Sequence, residues 1–278
     1  LSLDRPRRVL HLLKLKTPEV VITVGGTNGK GTTVSMIEAT YRSAGYNVGC
    51  YTSPHLIKYC ERIRLSGLDV SPELLCEAFS AVDNARGNIP LTYFEFGTLA
   101  AFYIFSHLRI DVAILEVGMG GRLDAVNLLN PDLAILCTID IDHQAWLGST
   151  REKIGAEKAG IFRYRGKVVV ADPDPPSSVI SRLTILQCEA QQHYKNFEVK
   201  LSGQNVWHWR HFRDATFGVG LPEEVQISTG SLIRARNLSG ALASVYALQD
   251  RLPIEVKDLD ALLAAITPGR RQHIEGEV

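Results

Sequence analysis

The sequence predicts an α/β protein whose main sheet is mostly parallel. Two observations lead to this fold class. Short runs are apolar throughout, as in residues 20–24 (VVITV) and 111–117 (DVAILEV), and longer helical patterns such as residues 30–43 lie between them. Strands that are apolar on both faces are typical of parallel sheets, because helices cover both sides of such a sheet.

The same reasoning assigns the elements in order along the chain. Predicted strands, each short and rich in aliphatic residues, cover residues 20–24, 47–51, 111–117, 132–138 and 167–171. Predicted helices cover residues 30–43, 71–85, 95–107, 237–249 and 255–266. The helix after Ser71 has the clearest start, because a serine N-cap, Pro72 at N1 and Glu73 in the first turn are all favourable there.

Residues 172–236 have a different character. The string DPDPP at 172–176 breaks the chain, and aromatic residues and glycines follow in short alternating stretches. This pattern predicts a small elaboration of antiparallel strands packed on the main sheet.

The composition excludes some classes of partner and location. Among 278 residues, 30 Lys and Arg balance 30 Asp and Glu, which leaves no electrostatic case for binding nucleic acid or an anionic membrane surface. No apolar run approaches the roughly 20 residues that span a bilayer. The five cysteines, odd in number and without a C-x-x-C pair, favour reduced thiols in a cytoplasmic protein.

The sharpest functional signal is residues 25–33 (GGTNGKGTT), between a predicted strand and a predicted helix. In such a loop, backbone N–H groups surround phosphate oxygens, a lysine neutralises the terminal phosphates and a hydroxyl can bind Mg²⁺. The usual G-x-x-x-x-G-K-[ST] spacing is not met, because Val24 replaces the first glycine and Gly31 separates Lys30 from Thr32. A plain glycine-rich turn is the alternative, and the flanking elements argue against it.

Two side chains beyond predicted strand ends suit a metal bound to phosphates. Glu116 ends the strand at 111–117, and His143 follows the strand at 132–138. Ligands of open α/β sheets gather at these ends, so both residues should lie near the glycine loop. Mg²⁺ prefers oxygen ligands, whereas Mn²⁺ tolerates histidine better. A solvated carboxylate and a structural histidine are the alternatives.

Three further segments are ambiguous from the residues alone. The turn at 118–122 (GMGGR) could bring its backbone or Arg122 to a ligand, or it could be a plain turn. The aromatic residues of 93–96 (YFEF) could stack on a flat heterocycle or lie in the core. Lys158 has the pattern of a surface lysine.

Several strings, in this order, resemble one family. GTNGKGT at 26–32 resembles the P-loop of the Mur ligase superfamily, and its extra glycine after the lysine is typical of the folylpolyglutamate synthase branch. Further motifs of that branch are matched by SPHL at 53–56, ERI at 61–63, TYFE at 92–95, LEVGMGGRLDA at 115–125, DH at 142–143 and EKAGI at 157–161. The bacterial dihydrofolate synthase/folylpolyglutamate synthase family is the best match, strong over residues 20–163 and weaker beyond. The resemblance implies the P-loop central domain of Mur ligases.

The resemblance also implies an activity, the ATP-dependent ligation of L-glutamate to dihydropteroate or folate. ATP would convert the acceptor carboxylate into an acyl phosphate, and the glutamate amine would displace phosphate to form an amide. The implied cofactors are ATP and one or two Mg²⁺ ions, with Mn²⁺ or K⁺ as alternatives. The implied partners are small molecules, and the implied state is a monomer.

The family's residue roles transfer by position. ATP would be bound by loop residues and two distant ones: Gly26, Thr27, Asn28, Gly29, Lys30, Gly31, Thr32, Asn237 and Arg270. Metal ions would be bound by Thr32, Ser53, Glu116, His143 and a carbamylated Lys158. The pterin would lie among Tyr93, Phe94, Glu95, Arg122, Leu123, Asp124 and Ala125. Of these residues, Lys30, His143 and Lys158 would serve catalysis.

The two ends of the chain differ from the family pattern. The family continues past position 270 into a Rossmann-like domain that binds glutamate, whereas this sequence runs from Leu1 to Val278. We therefore expect a P-loop ligase domain over residues 1–268, with the elaboration over 172–236, and a linker over 269–278. Such a fragment should be weakly active or inactive. The alternatives are a non-catalytic nucleotide- or folate-binding module and another Mur-type amide ligase.

Overall fold

The computed structural model describes residues 2–212 and 218–265, and an eight-stranded sheet lies at the centre of these residues. Its strands are β1 (Val20–Gly25), β2 (Val48–Tyr51), β3 (Ile63–Leu65), β4 (Leu68–Asp69), β5 (Val112–Glu116), β6 (Leu133–Leu136), β7 (Lys167–Val170) and β8 (Glu189–Gln192). Their spatial order is β4-β3-β2-β5-β1-β6-β7-β8. The six strands from β2 to β8 are parallel, and β3 and β4 form an antiparallel hairpin at one edge. The predicted fold class is confirmed.

Helices cover both faces of this sheet. They are α1 (Asp4–Leu13), α2 (Lys30–Ser43), α3 (Pro72–Arg86), α4 (Tyr93–His107), α5 (Gln144–Leu147), α6 (Arg151–Lys158), α7 (Ser177–Ile185), α8 (Leu232–Ala247) and α9 (Asp258–Ala264). Apolar residues of α2, α8 and α9 pack against one face, and those of α1, α3, α4, α6 and α7 pack against the other. Val20 and Ile22 belong to the first core and Val21 to the second, which explains why the strand is apolar throughout. None of the helices described is both long and apolar enough to cross a bilayer.

The register of the central strands places the functional loops at one edge. β1 lies between β5 and β6, with Val24 opposite Glu116 and Gly25 opposite Leu136. The three strands therefore end at the same level, and the segments that follow them lie side by side. This arrangement is the usual ligand-binding edge of an open α/β sheet.

The predicted antiparallel elaboration is only partly correct. Three strands of this region do form an antiparallel sheet: β9 (Phe197–Gly203), β10 (Val206–His211) and β11 (Glu224–Ser228). The stretch before it instead forms α7 and β8, which continue the main parallel sheet. The sequence prediction missed β8 because this edge strand reads EAQQ and has no apolar run. At the other end, α8 begins at Leu232 rather than at 237, because the Ser231 hydroxyl accepts a hydrogen bond from Arg234 N and caps the helix.

A buried aromatic cluster joins the small sheet to α8. Trp209 of β10 is fully buried, and its ring centroid lies 4.8 Å from that of Tyr246 in α8 and 6.4 Å from that of Phe197. His193 packs edge-on against Phe197, with ring centroids 5.4 Å apart. These contacts hold the small sheet against the helix that carries Asn237.

His193 should make the fold sensitive to acid. Neither of its ring nitrogens has a hydrogen-bond partner among the described residues. Burial lowers the pKa of His193 to about 4; Arg236 contributes less in the same direction, and Glu198 opposes the shift. The folded chain therefore favours neutral His193, so its contribution to stability is complete above pH 6.5 and is lost as the pH falls towards 4. We expect a loss of up to about 1.4 kcal/mol per pH unit from this group in urea unfolding between pH 7 and 4.5.

The variant His193→Phe should flatten this dependence, because its ring cannot be protonated. His208→Gln is the matched control, since His208 is exposed on β10. Equal pH dependence of unfolding in the wild type and His193→Phe would contradict the prediction.

Candidate functional site

The glycine loop connects β1 to α2 and has a shape that requires glycine. Gly29 is the N-cap of α2 and has φ +86°, in the left-handed region that residues with a side chain rarely adopt. A Cβ at this position would also collide with Oδ1 of Asn237, which reaches the loop from α8. The loop and α8 therefore meet closely, as the predicted pairing of Asn237 with this site requires.

Hydrogen bonds tie the loop to the segment that follows β6. Thr27 N donates to Thr138 O at 2.7 Å, Thr27 Oγ1 donates to Asp140 O at 3.0 Å, and Asp140 N donates back to Thr27 Oγ1 at 3.0 Å. Lys30 Nζ donates to Thr27 O at 3.2 Å, so the lysine folds over its own loop. These contacts fix the shape of the loop through the protein itself, which lowers the cost of ordering it around an anion.

A cavity of about 780 Å³ opens at this edge of the sheet. Its wall includes the predicted residues Thr27, Asn28, Gly29, Lys30, Gly31, Thr32, Glu116 and Asn237. Four other predicted residues do not line the cavity in the described part of the chain: Gly26, Ser53, His143 and Lys158. Its volume is within the range of roughly 300–1,000 Å³ that is typical of small-molecule sites.

Glu116 is a buried carboxylate in the wall of this cavity. Ser53 N donates to its Oε2 at 3.0 Å, and a Cβ at Gly31 would lie at ordinary contact distance, 3.6 Å, from the same oxygen. No group of three or more His, Cys, Asp or Glu side chains among the described residues could hold a metal by itself. The donor set of Glu116 with the Thr32 hydroxyl nevertheless fits Mg²⁺ or Mn²⁺, because Mg²⁺ in nucleotide sites is commonly bound by one or two protein oxygens, phosphates and water.

His143 lies on an exposed turn. It precedes α5, has φ +47°, and its Nε2 is 3.5 Å from Asp142 Oδ2. Its side chain is 53% exposed. The part of the chain that the structure describes does not bring His143 into the cavity wall, so a metal-binding role for it stays a prediction.

Lys158 is not a surface lysine. Its side chain is only 4% exposed, and its Nζ donates to Gly26 O at 2.9 Å across the back of the loop. Burial, with a smaller contribution from Lys30, lowers its pKa to about 8. The expectation drawn from its sequence context alone was therefore wrong, while the metal-ligand role implied by the resemblance stays a prediction.

Three of the predicted pterin residues are held by polar interactions with the protein. Glu95 accepts from Thr92 N at 2.7 Å in a capping box at the start of α4. Asp124 accepts from Met119 N at 2.9 Å and Val126 N at 3.0 Å, and burial raises its pKa to about 6. Arg122 forms an ion pair with Glu157 at 2.9 Å.

The two aromatic residues of this set, Tyr93 and Phe94, pack against different parts of the protein. Tyr93 packs against Tyr59, with ring centroids 5.7 Å apart, whereas Phe94 lies 5.7 Å from Tyr51 by the same measure. Phe94 also approaches the turn after β5, where a Cβ on Gly118 would lie 2.7 Å from its Cζ. Phe94 therefore lies against the turn that Asp124 holds through Met119 N, whereas Tyr93 packs on Tyr59. This geometry does not test the pterin-binding role predicted for these seven residues.

Several cavity residues were missed by the sequence prediction. Asp172, next to Asp174 after β7, accepts from Ile139 N at 2.7 Å, and Arg151 approaches the two carboxylates at 3.6 and 3.2 Å. Arg236 lines the cavity beside Asn237. The strand-end reasoning that selected Glu116 would also have selected Asp172, because it follows the predicted strand at 167–171. Arg270 lies outside the described residues.

The fold and this cavity define a P-loop α/β domain, in which a glycine loop joins a central parallel strand to a helix. The Mur ligase middle domain family matches residues 24–221, and the chain belongs to that family. Within it, the chain is 38% identical over 258 residues to the dihydrofolate synthase/folylpolyglutamate synthase of Escherichia coli (strain K12), covering 93% of this chain and 58% of that protein. It is 43% identical over 212 residues to the Haemophilus influenzae protein of the same name, covering 76% and 48%.

Solved structures of proteins from the same family also match this chain. The structure of E. coli FolC in complex with DHPP and ADP matches with a TM-score of 0.89 at 37% identity, over 99% of this chain and 64% of that one. The Yersinia pestis bifunctional folylpolyglutamate synthase/dihydrofolate synthase complexed with AMPPNP and Mn ion matches with a TM-score of 0.84 at 40% identity, over 99% and 64%. In these four comparisons the chain thus spans between 48% and 64% of the length of the protein that it matches.

Proposed function

We propose that this chain provides the ATP- and metal-binding part of a ligase that joins L-glutamate to dihydropteroate or folate. The observation that carries the proposal is the cavity in which the glycine loop, Lys30 and the buried Glu116 face the same volume. The similarity to folylpolyglutamate synthases supports the choice of substrates.

The residues of the cavity suit phosphoryl transfer. The backbone N–H groups at the start of α2 would bind phosphate oxygens of ATP, and Lys30, which now donates to Thr27 O, would turn to the terminal phosphates. Asn237 and Arg236 border the loop on the α8 side, where the rest of the nucleotide would lie. Such a site acts mainly by positioning the reactants and neutralising charge.

The residues available for a metal are Thr32 and Glu116. A bound Mg²⁺ would neutralise negative charge that develops on the phosphates during transfer. Ser53 N orients the Glu116 carboxylate by donating to it, and Ser53 thereby links the segment after β2 to the site. Lys158 supports the loop from behind through Gly26 O, and as a carbamate it would add a further oxygen donor.

Acceptor-dependent release of phosphate tests the proposal. With ATP, Mg²⁺ and L-glutamate present, we expect dihydropteroate or folate to stimulate phosphate release, and removal of the metal by EDTA to abolish the release. The glutamyl product should be scarce, because the chain spans only 58% of its E. coli relative, so most of the phosphate should be released when water hydrolyses the acyl phosphate. Stimulation by a muramyl nucleotide instead would identify a cell-wall ligase, and ATP binding without any acceptor effect would support a non-catalytic nucleotide-binding module.

A further inference from the structure

A buried ion pair lies between the helix that follows the glycine loop and the β2–β3 side of the main sheet. Arg64 of β3 donates to Glu38 Oε2 of α2 through Nε at 3.1 Å and through Nη2 at 2.7 Å. The Glu38 side chain is 6% exposed and that of Arg64 is 16% exposed. Neither is among the described residues that line the cavity at the glycine loop, so the pair lies outside the wall that would face the nucleotide.

The same arginine reaches the segment after β2. Arg64 Nη1 donates to Thr52 Oγ1 at 3.2 Å, and Thr52 N donates to Arg62 O at 2.8 Å. Thr52 is therefore tied to β3 by both its side chain and its backbone. The next residue, Ser53, donates its backbone N–H to Glu116 Oε2 at 3.0 Å. One guanidinium thus connects α2 to the peptide that orients a buried carboxylate of the cavity.

This connection joins the two parts of the donor set that suits a metal. Thr32 lies in the first turn of α2, and Glu38 follows it on the same helix, about 9 Å further along the axis. Glu116 lies at the end of β5 and is oriented through Ser53. The Glu38–Arg64 pair holds α2 against the segment that contains Ser53, and it therefore holds Thr32 in place relative to Glu116.

Stability alone is a poor explanation for this pair. A buried ion pair seldom adds net stability over apolar side chains of the same volume, because both charges lose their hydration. Glu38 Oε1 has no hydrogen-bond partner among the described residues, so part of the hydration of this carboxylate is lost without replacement. The bonds that Arg64 makes to two separate segments indicate that the pair fixes a geometry.

We propose that the Glu38–Arg64 pair is a positioning device for the metal site, which sets the Thr32 hydroxyl relative to the Glu116 carboxylate. The guanidinium fork suits this role, because two of its nitrogens bind Glu38 while the third binds the Thr52 hydroxyl. This role rests on the proposed function, since it needs ATP and a divalent metal to bind at the cavity. Its effect should appear in the part of nucleotide binding that depends on the metal.

Titration of a non-hydrolysable ATP analogue into the 278-residue chain, once with Mn²⁺ and once with EDTA, tests this role. Mn²⁺ should tighten binding to the wild type. Thr52→Val keeps the branched shape of the side chain but cannot bind Arg64, and it should reduce this tightening by at least about fivefold. The affinity measured in EDTA should stay within about twofold of the wild-type value, because the glycine loop and Lys30 are unchanged.

Variants of the ion pair separate positioning from stability. Arg64→Lys retains a positive charge for Glu38 but loses the fork, so it should reduce the Mn²⁺ effect in the same way. The double variant Glu38→Gln/Arg64→Met should do so as well, and it leaves no lone buried charge that could prevent folding. Arg210→Met is the matched control, because it removes an ion pair with the buried Glu198, which keeps a second cation partner. This control should leave the Mn²⁺ effect unchanged.

The possible outcomes distinguish the positioning role from the proposed function. If Mn²⁺ tightens binding equally in the wild type and in either Thr52→Val or Arg64→Lys, the positioning role is overturned and the proposed function stands. An equal loss of affinity with Mn²⁺ and with EDTA also overturns it, because that result indicates a general disturbance of the site. A wild type that binds the analogue equally with and without Mn²⁺ overturns the proposed metal site, and the positioning role with it.

Discussion

Replacing Lys30 by alanine is expected to weaken binding of Mg·ATP by about 30- to 100-fold. Lys30 is the cation placed at the start of α2, and it lies in the same cavity wall as the loop amides and Glu116. Charge-assisted hydrogen bonds contribute about 1.5–3 kcal/mol each, and each 1.4 kcal/mol corresponds to tenfold in affinity. The substitution should leave the fold intact, because Lys30 makes no ion pair with a described carboxylate and only one hydrogen bond, to its own loop.

Isothermal titration of both chains with a non-hydrolysable ATP analogue measures this effect. Lys195→Ala is the matched control, because it removes one exposed lysine from a turn between β8 and β9. The control should bind the nucleotide as the wild type does. Equal affinity in the wild type and Lys30→Ala would refute the assignment of this loop as the phosphate site.

The substitution Trp209→Ala is expected to have the largest effect on stability, a loss of about 3–5 kcal/mol in the free energy of unfolding. Trp209 is fully buried between the small sheet and α8, and its ring contacts Phe197, His211 and Tyr246. Removing the indole would leave a cavity where these elements meet. Since natural domains are stable by only about 5–15 kcal/mol, such a loss approaches the limit for a folded chain.

Urea unfolding at neutral pH measures this loss, with Trp146→Ala as the matched control. Trp146 is 70% exposed in the short helix α5, so its removal should change stability by less than about 0.5 kcal/mol. Trp209→Phe should cost less than the alanine variant, because the indole N–H has no hydrogen-bond partner among the described residues and a second ring still fills much of the space. A wild-type free energy of unfolding in Trp209→Ala would contradict the packing described for this cluster.

The chain elements with a strong local pattern were predictable from the sequence. β1 and β5 were recognised because both faces of each strand are buried, and α3 because Ser71 and Pro72 mark its start. β8 and α1 were not recognised. β8 is a polar edge strand that pairs only with β7, and α1 has just two buried residues, Pro6 and Val9, so neither element carries a continuous apolar pattern.

The main parts of the candidate site were also predictable, and for a local reason. The glycine loop, Lys30 and Glu116 all lie at or next to the ends of strands that the sequence marks clearly, and the register of β1 with β5 brings these ends together. Strand ends in a parallel sheet share one edge, so a motif and its position along the chain together identify the site.

Other properties depend on contacts between segments that are distant in the chain. Lys158 is 132 residues from Gly26, whose carbonyl it reaches, and local sequence carries no sign of that contact or of the lowered pKa that burial causes. A cavity of about 510 Å³, lined by Tyr59, Phe79 and Phe96 among others, likewise forms only where α3, α4 and the β2–β3 connection meet. A strand–loop–helix motif encodes its own geometry within a few residues. The burial of a charge, and therefore its chemistry, depends on which distant segments pack around it.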